Sequence, residues 1–158
     1  MRGFMCAPHR RSVLLFATVV IATAATTPSR GQPKSDPPED APEAGADRIR
    51  WFIAQSERMR AESIASGDQP YGAVIVRDDR IIGWGRSRVV LDRNPRAHAE
   101  RGAIMDAQLR LAAVDLGRAV MYSTSQLCPM CEDAAALAGI SALYWGPDAI
   151  NAGKPVRR

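Results

Sequence analysis

Apolar residues between positions 47 and 145 recur with two periods, one typical of helices and the other typical of strands. A first helix is predicted to begin at Asp47, its N-cap. The inner face of this helix is defined by apolar residues at helical spacing: Ile49, Phe52, Ile53, Met59 and Ile64. The β-branched run over residues 71–77 predicts a short buried strand. After a turn at residues 78–80, residues 81–90 are predicted to return as a second, bent strand.

The next part of the chain repeats this alternation. Asn94 is predicted to cap a second helix, with Pro95 in its first turn, where proline is favoured. The inner face of that helix consists of Ala103, Ile104, Ala107 and Leu111. Three more elements are predicted: a strand over residues 118–124, a helix over about residues 129–138 and a strand over residues 140–145. This order predicts an α/β layer fold, in which helices pack against a small mixed sheet.

Residues 1–25 have the pattern of an export signal. Three arginines precede the apolar run 13–25, and residues 22–24 offer a small-x-small cleavage site. The run is shorter than the roughly 20 apolar residues that span a bilayer. Arg10 and Arg11 also resemble a twin-arginine signal, so both the general secretory route and the twin-arginine route stay open. We therefore expect an exported protein, either periplasmic or secreted.

Removal of the leader also lowers the net charge of the chain. The whole chain carries a net charge of +4, but residues 1–25 hold three basic and no acidic residues, so the remainder carries only +1. Such a chain has no excess of positive charge with which to hold a phosphate backbone, and nucleic acid is not expected as a partner. Residues 26–46 are rich in proline and acid and predict a flexible linker. Residues 47–158 then form one domain with one core.

Without the leader, the chain contains one histidine, His98, and two cysteines, Cys128 and Cys131. One imidazole and two thiolates suit zinc in a catalytic site, where the fourth position stays open to water. Glu100, two residues past the histidine, is a suitable group to exchange a proton with that water. His-x-Glu followed by Cys-x-x-Cys is the signature of zinc-dependent nucleobase deaminases.

Two other interpretations of these residues stay open. Cys128-Pro129-Met130-Cys131, between a strand and a helix, is also typical of a thioredoxin-like redox motif, and export favours disulfides. An exported thiol–disulfide protein is therefore one alternative. A deaminase fold that binds zinc or a ligand without turnover is the other.

Residues 47–146 resemble the zinc-dependent cytidine/deoxycytidylate deaminase superfamily, most closely its guanine, cytosine and tRNA-adenosine deaminase branch. The resemblance is carried by residues 70–76, by residues 94–100 with the zinc histidine and by residues 128–131 with the cysteines. It implies a cytidine-deaminase-like three-layer α/β/α sandwich with a mixed sheet.

The resemblance also implies roles for individual residues. His98, Cys128 and Cys131 would be the ligands of one zinc ion per chain, and Glu100 would be the proton shuttle. The Ala99 backbone amide would contact the base, the Tyr71 side chain would line its pocket, and Ser87 stands where an asparagine usually holds the substrate.

Two further departures from the family pattern affect what we expect. Gln126 and Leu127 replace the usual Glu-Pro before the first zinc cysteine, and the chain ends at Arg158, soon after the fourth strand. The usual fifth strand and closing helices are therefore expected to be missing, which shortens the fold at its C-terminus. We predict a hydrolytic deaminase of a small nucleobase, nucleoside or similar aminated heterocycle, releasing ammonia. A homodimer is expected, with no membrane association after processing.

Overall fold

The computed structural model describes residue 42 and residues 45–157. The predicted leader, residues 1–25, and most of the predicted linker, residues 26–46, lie outside the described residues, so both stay predictions. Among the described residues, no helix is both long enough and apolar enough to cross a membrane.

Helices and strands occur in the predicted order along the described part of the chain. The helices are α1 (Ala46–Ala65), α2 (Ala99–Leu111) and α3 (Pro129–Leu137). The strands are β1 (Gly72–Arg77), β2 (Arg80–Arg86), β3 (Val120–Ser123), β4 (Ala142–Trp145) and β5 (Ile150–Gly153). The three predicted helices and the first four strands are confirmed, with ends shifted by a few residues.

The strands form one mixed sheet in the order β2-β1-β3-β4-β5. Strand β1 is antiparallel to both β2 and β3, and Val74 in its centre lies between Trp84 and Tyr122. Strands β3 and β4 are parallel, because α3 connects them across one face of the sheet. The pair β4–β5 is antiparallel. The predicted mixed sheet is confirmed.

Helices cover both faces of this sheet, which makes the fold a three-layer α/β/α sandwich as predicted. On one face, α1 packs Phe52 and Met59 against Val74 and Val76 of β1. Alternate residues of β1 point the other way, toward the core beneath α2 and α3. That second core contains three of the four residues predicted for the inner face of α2, and the fourth packs against it half-buried: Ala103, Ile104, Ala107 and Leu111.

Helix α2 lies unusually close to β2 because two strand positions are glycine. A Cβ at Gly85 would overlap the Ala99 carbonyl oxygen, and a Cβ at Gly83 would overlap the Ala103 carbonyl oxygen. Only hydrogen side chains allow the two backbones to approach this far. The start of α2, which carries the histidine motif, is thereby held directly above the sheet.

Two predicted helix caps and one strand end are wrong. The N-cap of α1 is Gly45, and Asp47 lies in the first helical turn, where its negative charge faces the positive end of the helix dipole. Asn94 does not cap α2, which begins only after His98; its side-chain oxygen instead accepts a hydrogen bond from the Arg96 amide in a turn. Strand β2 ends at Arg86 and does not continue to residue 90, because the chain leaves the sheet there.

The prediction that no fifth strand follows β4 is also wrong. Residues Ile150–Gly153 form β5 and pair with β4, with Tyr144 opposite Asn151. Every residue of β5 is exposed, so the strand lacks the apolar run from which a strand is predicted. Backbone pairing with β4, and not side-chain burial, defines it.

Candidate metal and active site

Two helix starts supply the side chains of the site. His98 is the N-cap of α2, with φ −69° and ψ 153°, and Cys128 is the N-cap of α3, with φ −71° and ψ 160°. Neither side chain is used to cap its helix. Because α2 and α3 pack side by side on the same face of the sheet, the two side chains can meet. Both motifs therefore lie at helix starts.

The structure brings the histidine and both cysteines together. The His98 Nδ1 atom lies 3.6 Å from Cys128 Sγ and 3.4 Å from Cys131 Sγ. All three candidate ligand atoms lie within 4.8 Å of one another. A tetrahedral zinc with bonds of about 2.3 Å to sulfur and about 2.1 Å to nitrogen separates such ligand atoms by roughly 3.6 Å. The spacing and the donor types therefore both fit a zinc ion.

Glu100 borders this cluster from the first turn of α2 and is only 5% exposed. The Cys131 thiol lies 3.6 Å from Glu100 Oε2 and donates to it. The Ser123 hydroxyl, at the end of β3, donates to Glu100 Oε1 at 3.2 Å. One carboxylate oxygen is thus held by the strand, while the other faces the sulfur atoms.

Burial, and then the nearby Glu100 carboxylate, raise the pKa of the Cys131 thiol well above its usual range. A neutral thiol is a poor metal ligand, and a bound cation reverses this balance by stabilising the thiolate. The buried pair of an acid and a thiol therefore favours an occupant with positive charge.

Leu127 replaces the proline expected before the first zinc cysteine. Its side chain is half-buried and packs against the core beneath α2 and α3. A proline would hold the residue before Cys128 by restricting its backbone. Leu127 instead holds it by side-chain packing against the core.

The three residues with implied substrate roles lie in different surroundings. Ala99 is fully buried at the start of α2, and Tyr71 is 41% exposed just before β1. Ser87 is fully buried, and its hydroxyl donates to Asp68 Oδ1 at 2.7 Å. The Ser87 amide also donates to the Tyr71 carbonyl, so these two residues are neighbours. Their substrate roles stay predictions.

Asp68 holds the loop that leads to the site, and sequence reasoning missed it. Besides the Ser87 hydroxyl, its carboxylate accepts hydrogen bonds from the amides of Val90 at 3.0 Å, Leu91 at 2.9 Å and Gln69 at 2.7 Å. It thereby ties the end of α1 to the β2–α2 loop, residues 87–97, which leads to His98. An aspartate after a helix is a common turn signal, but nothing local predicts partners more than 20 residues away.

Burial alone would raise the pKa of Asp68, but the hydrogen bonds from Leu91, Ser87, Gln69 and Val90 together outweigh it and lower the pKa below 3.8. A carboxyl with a lowered native pKa stabilises the fold fully above its unfolded pKa. That contribution is lost as the pH falls through the native value.

Asp68→Asn is therefore expected to lower the free energy of unfolding by about 1–3 kcal/mol at pH 6 and by less at pH 3. Urea unfolding at both pH values measures this difference. Asp148→Asn, which alters an exposed carboxyl in the turn before β5, is the matched control. Equal losses at the two pH values would contradict the role of the Asp68 charge.

Proteins of known structure share this fold. Guanine deaminase from Bacillus subtilis superposes with a TM-score of 0.59 at 34% identity, over 61% of this chain and 62% of that one. The fold and the His, Glu and Cys cluster define a member of the cytidine-deaminase-like class of proteins.

Within that class, the chain belongs to the MafB19-like deaminase family, whose model matches residues 46–153. Guanine deaminase from Bacillus subtilis is 35% identical over 95 residues, 60% of this chain and 56% of that protein. A tRNA-specific adenosine deaminase from Buchnera aphidicola is 35% identical over 100 residues, 63% of this chain and 62% of that protein. The chain thus spans less than two thirds of the length of these relatives. The resemblance to the guanine and tRNA-adenosine deaminase branch is confirmed.

Proposed function

We propose that this protein is a zinc-dependent hydrolytic deaminase of a small nucleobase, nucleoside or similar aminated heterocycle, and that it releases ammonia. The observation that carries the proposal is the meeting of His98, Cys128, Cys131 and Glu100 in one cluster. Membership of a deaminase family supports the type of reaction.

His98, Cys128 and Cys131 would hold the zinc ion. Two thiolates and a neutral imidazole balance its charge of +2. When bound, zinc supplies Lewis-acid activation of water at neutral pH. The overall reaction forms a carbon–oxygen bond from water, breaks the exocyclic carbon–nitrogen bond and releases ammonia.

Glu100 would move the protons of this reaction. Its Oε2 atom faces the cluster, while Oε1 is held by the Ser123 hydroxyl, so the carboxylate is oriented toward the reacting atoms. Glu100 would accept a proton from the attacking water and return it to the ring nitrogen, and then help to protonate the leaving amine. Its burial excludes the bulk water that would otherwise compete for these protons.

The thiol–disulfide alternative has less support. Cys128 and Cys131 are free, and both sulfur atoms face the same histidine ring nitrogen. A redox pair has no need of the third ligand or of a buried carboxylate beside it. Both are what a hydrolytic zinc site requires.

Protein purified without chelator is expected to contain one zinc ion per chain, because the donor set and its spacing match a catalytic zinc site. Elemental analysis measures the metal content. Cys128→Ser and Cys131→Ser are expected to lose the metal, while Ser141→Ala, outside the cluster, is expected to keep it. A metal-free protein with a Cys128–Cys131 disulfide would instead favour the thiol–disulfide alternative.

Ammonia release is expected to be faster with a free base, nucleoside or pterin than with nucleic acid, because the chain after its predicted leader is nearly neutral. A coupled ammonia assay across these compounds, a tRNA anticodon stem-loop and single-stranded DNA tests this. Faster deamination of either nucleic acid than of every small compound would overturn the substrate class.

A further inference from the structure

A cavity of about 600 Å³ lies beside the cluster, between the β2–α2 loop, α2 and α3. His98 forms part of its wall, whereas Glu100, Cys128 and Cys131 do not line it. The cavity therefore adjoins the cluster through the histidine, while the other three residues of the cluster are not part of its wall. Its volume falls in the range of about 300–1,000 Å³ that is usual for sites of small ligands.

The end of the cavity formed by the end of β2, the β2–α2 loop and the start of α2 is strongly positive. Four arginines and one aspartate line it, and the aspartate is already occupied. Asp92 binds the Arg88 guanidinium with both oxygens, at 2.9 and 2.7 Å. The side chains of Arg86, Arg96 and Arg101 form no ion pair or hydrogen bond with any residue that the structure describes. Three positive charges thus face the cavity without a matching negative charge.

The Arg86 side chain indicates that this end of the cavity binds a ligand. Its Nε–H is buried and has no acceptor among the described residues. A buried donor of a charged group that lacks an acceptor is costly, because the group has lost its water. An anion in the cavity would satisfy it, and guanidinium groups bind phosphate oxygens in pairs.

Farther along α2 and α3, the wall of the cavity is mainly apolar, with Gln108 as its polar member. Met105, Val114 and Leu137 line it and are 58%, 79% and 62% exposed. Exposed apolar side chains beside free guanidinium groups match a ligand with a flat apolar ring at one end and a negative charge at the other. A mononucleotide has both parts and fits the volume.

We propose that this cavity binds a phosphate-bearing small molecule of nucleotide size, with its phosphate at Arg86, Arg96 and Arg101 and its ring between α2 and α3. The site is additional to the proposed reaction site, since Glu100 and the two cysteines lie outside it. Binding there requires neither zinc nor turnover. The proposal therefore stands or fails independently of the deaminase chemistry.

Isothermal titration calorimetry of the full chain tests the site with three probes: guanosine 5′-monophosphate, guanosine and inorganic phosphate. A Glu100→Gln background prevents turnover from disturbing the heat signal. We expect the monophosphate to bind at least tenfold more tightly than guanosine and than inorganic phosphate, since it alone occupies both ends of the cavity. Higher salt should weaken binding of the monophosphate.

The substitutions Arg96→Gln and Arg101→Gln are each expected to weaken the affinity for the monophosphate by about tenfold or more and to leave the affinity for guanosine unchanged. The control Arg50→Gln on α1, across the sheet, removes the same charge and is expected to change neither affinity. Arg86→Gln should have the largest effect. Because that side chain is partly buried, its thermal unfolding is measured beside its binding, and the other two variants decide the result if it does not fold.

Three results would overturn the proposal. The first is monophosphate binding that is absent, or unchanged in the Arg96 and Arg101 variants. The second is an affinity for inorganic phosphate equal to that for the monophosphate, which would show that the site binds anions without recognising the ring. The third is a single-stranded oligonucleotide that binds more than tenfold more tightly than the monophosphate and loses affinity in the same variants, which would make the cavity part of a nucleic-acid surface.

Discussion

Glu100→Gln is expected to lower the turnover rate by about 10²–10⁴-fold and to leave the fold and the metal content unchanged. Glutamine has the same shape, and its amide oxygen can still accept the Ser123 hydroxyl, but it cannot take up a proton. The change therefore removes the proton transfer and little else. Steady-state kinetics on the best substrate, elemental analysis and circular dichroism measure the three quantities.

Ser123→Ala is the matched comparison for this variant. It removes the hydrogen bond to Glu100 Oε1 but keeps the carboxylate, so we expect a loss of turnover of about tenfold or less. A Glu100→Gln protein with full activity would refute its role as the proton shuttle. A variant that loses its metal would instead make Glu100 part of the metal site.

Gly85→Ala is expected to lower the free energy of unfolding by about 3 kcal/mol or more and to weaken zinc binding. The added methyl group would overlap the Ala99 carbonyl oxygen and the Ala103 amide of α2. Both are backbone atoms, so relief requires the whole start of α2 to move away from the sheet. That segment carries His98, and its displacement would separate the histidine from the two cysteines.

Gly102→Ala is the control, because it adds the same methyl group on the other side of the same contact. A Cβ at Gly102 would meet only Gly85 Cα at 3.6 Å and the Arg86 carbonyl at 3.8 Å, which are ordinary contacts. Since Gly102 lies inside a helix, the change to alanine is expected to stabilise the protein by about 0.5–1 kcal/mol. Urea unfolding and zinc titration compare the two variants. Equal effects would show that the close approach of α2 and β2 does not limit stability.

The sequence by itself determines the types of element and the chemistry of the cluster. Periodicity is a local property, so the helices and the first four strands follow from residues within each segment, such as the β-branched run in β1. The inventory of His98, Cys128 and Cys131 in residues 26–158 limits a nitrogen-and-sulfur site to one combination.

Local signals misplace the features that depend on distant contacts. Asn94 and Pro95 have the pattern of a helix start, yet α2 begins only after His98. The Ala97 carbonyl instead accepts a hydrogen bond from the Arg88 amide within the β2–α2 loop. Strand β5 has no buried residue, and only its pairing with β4 makes it a strand. Neither feature is encoded within its own segment.

The tertiary structure alone decides how the site is supported. Asp68 acquires its role from amides and a hydroxyl that lie 19 to 23 residues further along the chain. Gly85 matters because a particular helix crosses it, and the arginines form a cavity because α2, α3 and the β2–α2 loop meet around them. Short-range propensity carries no information about such meetings, because packing of the sheet and helices sets them.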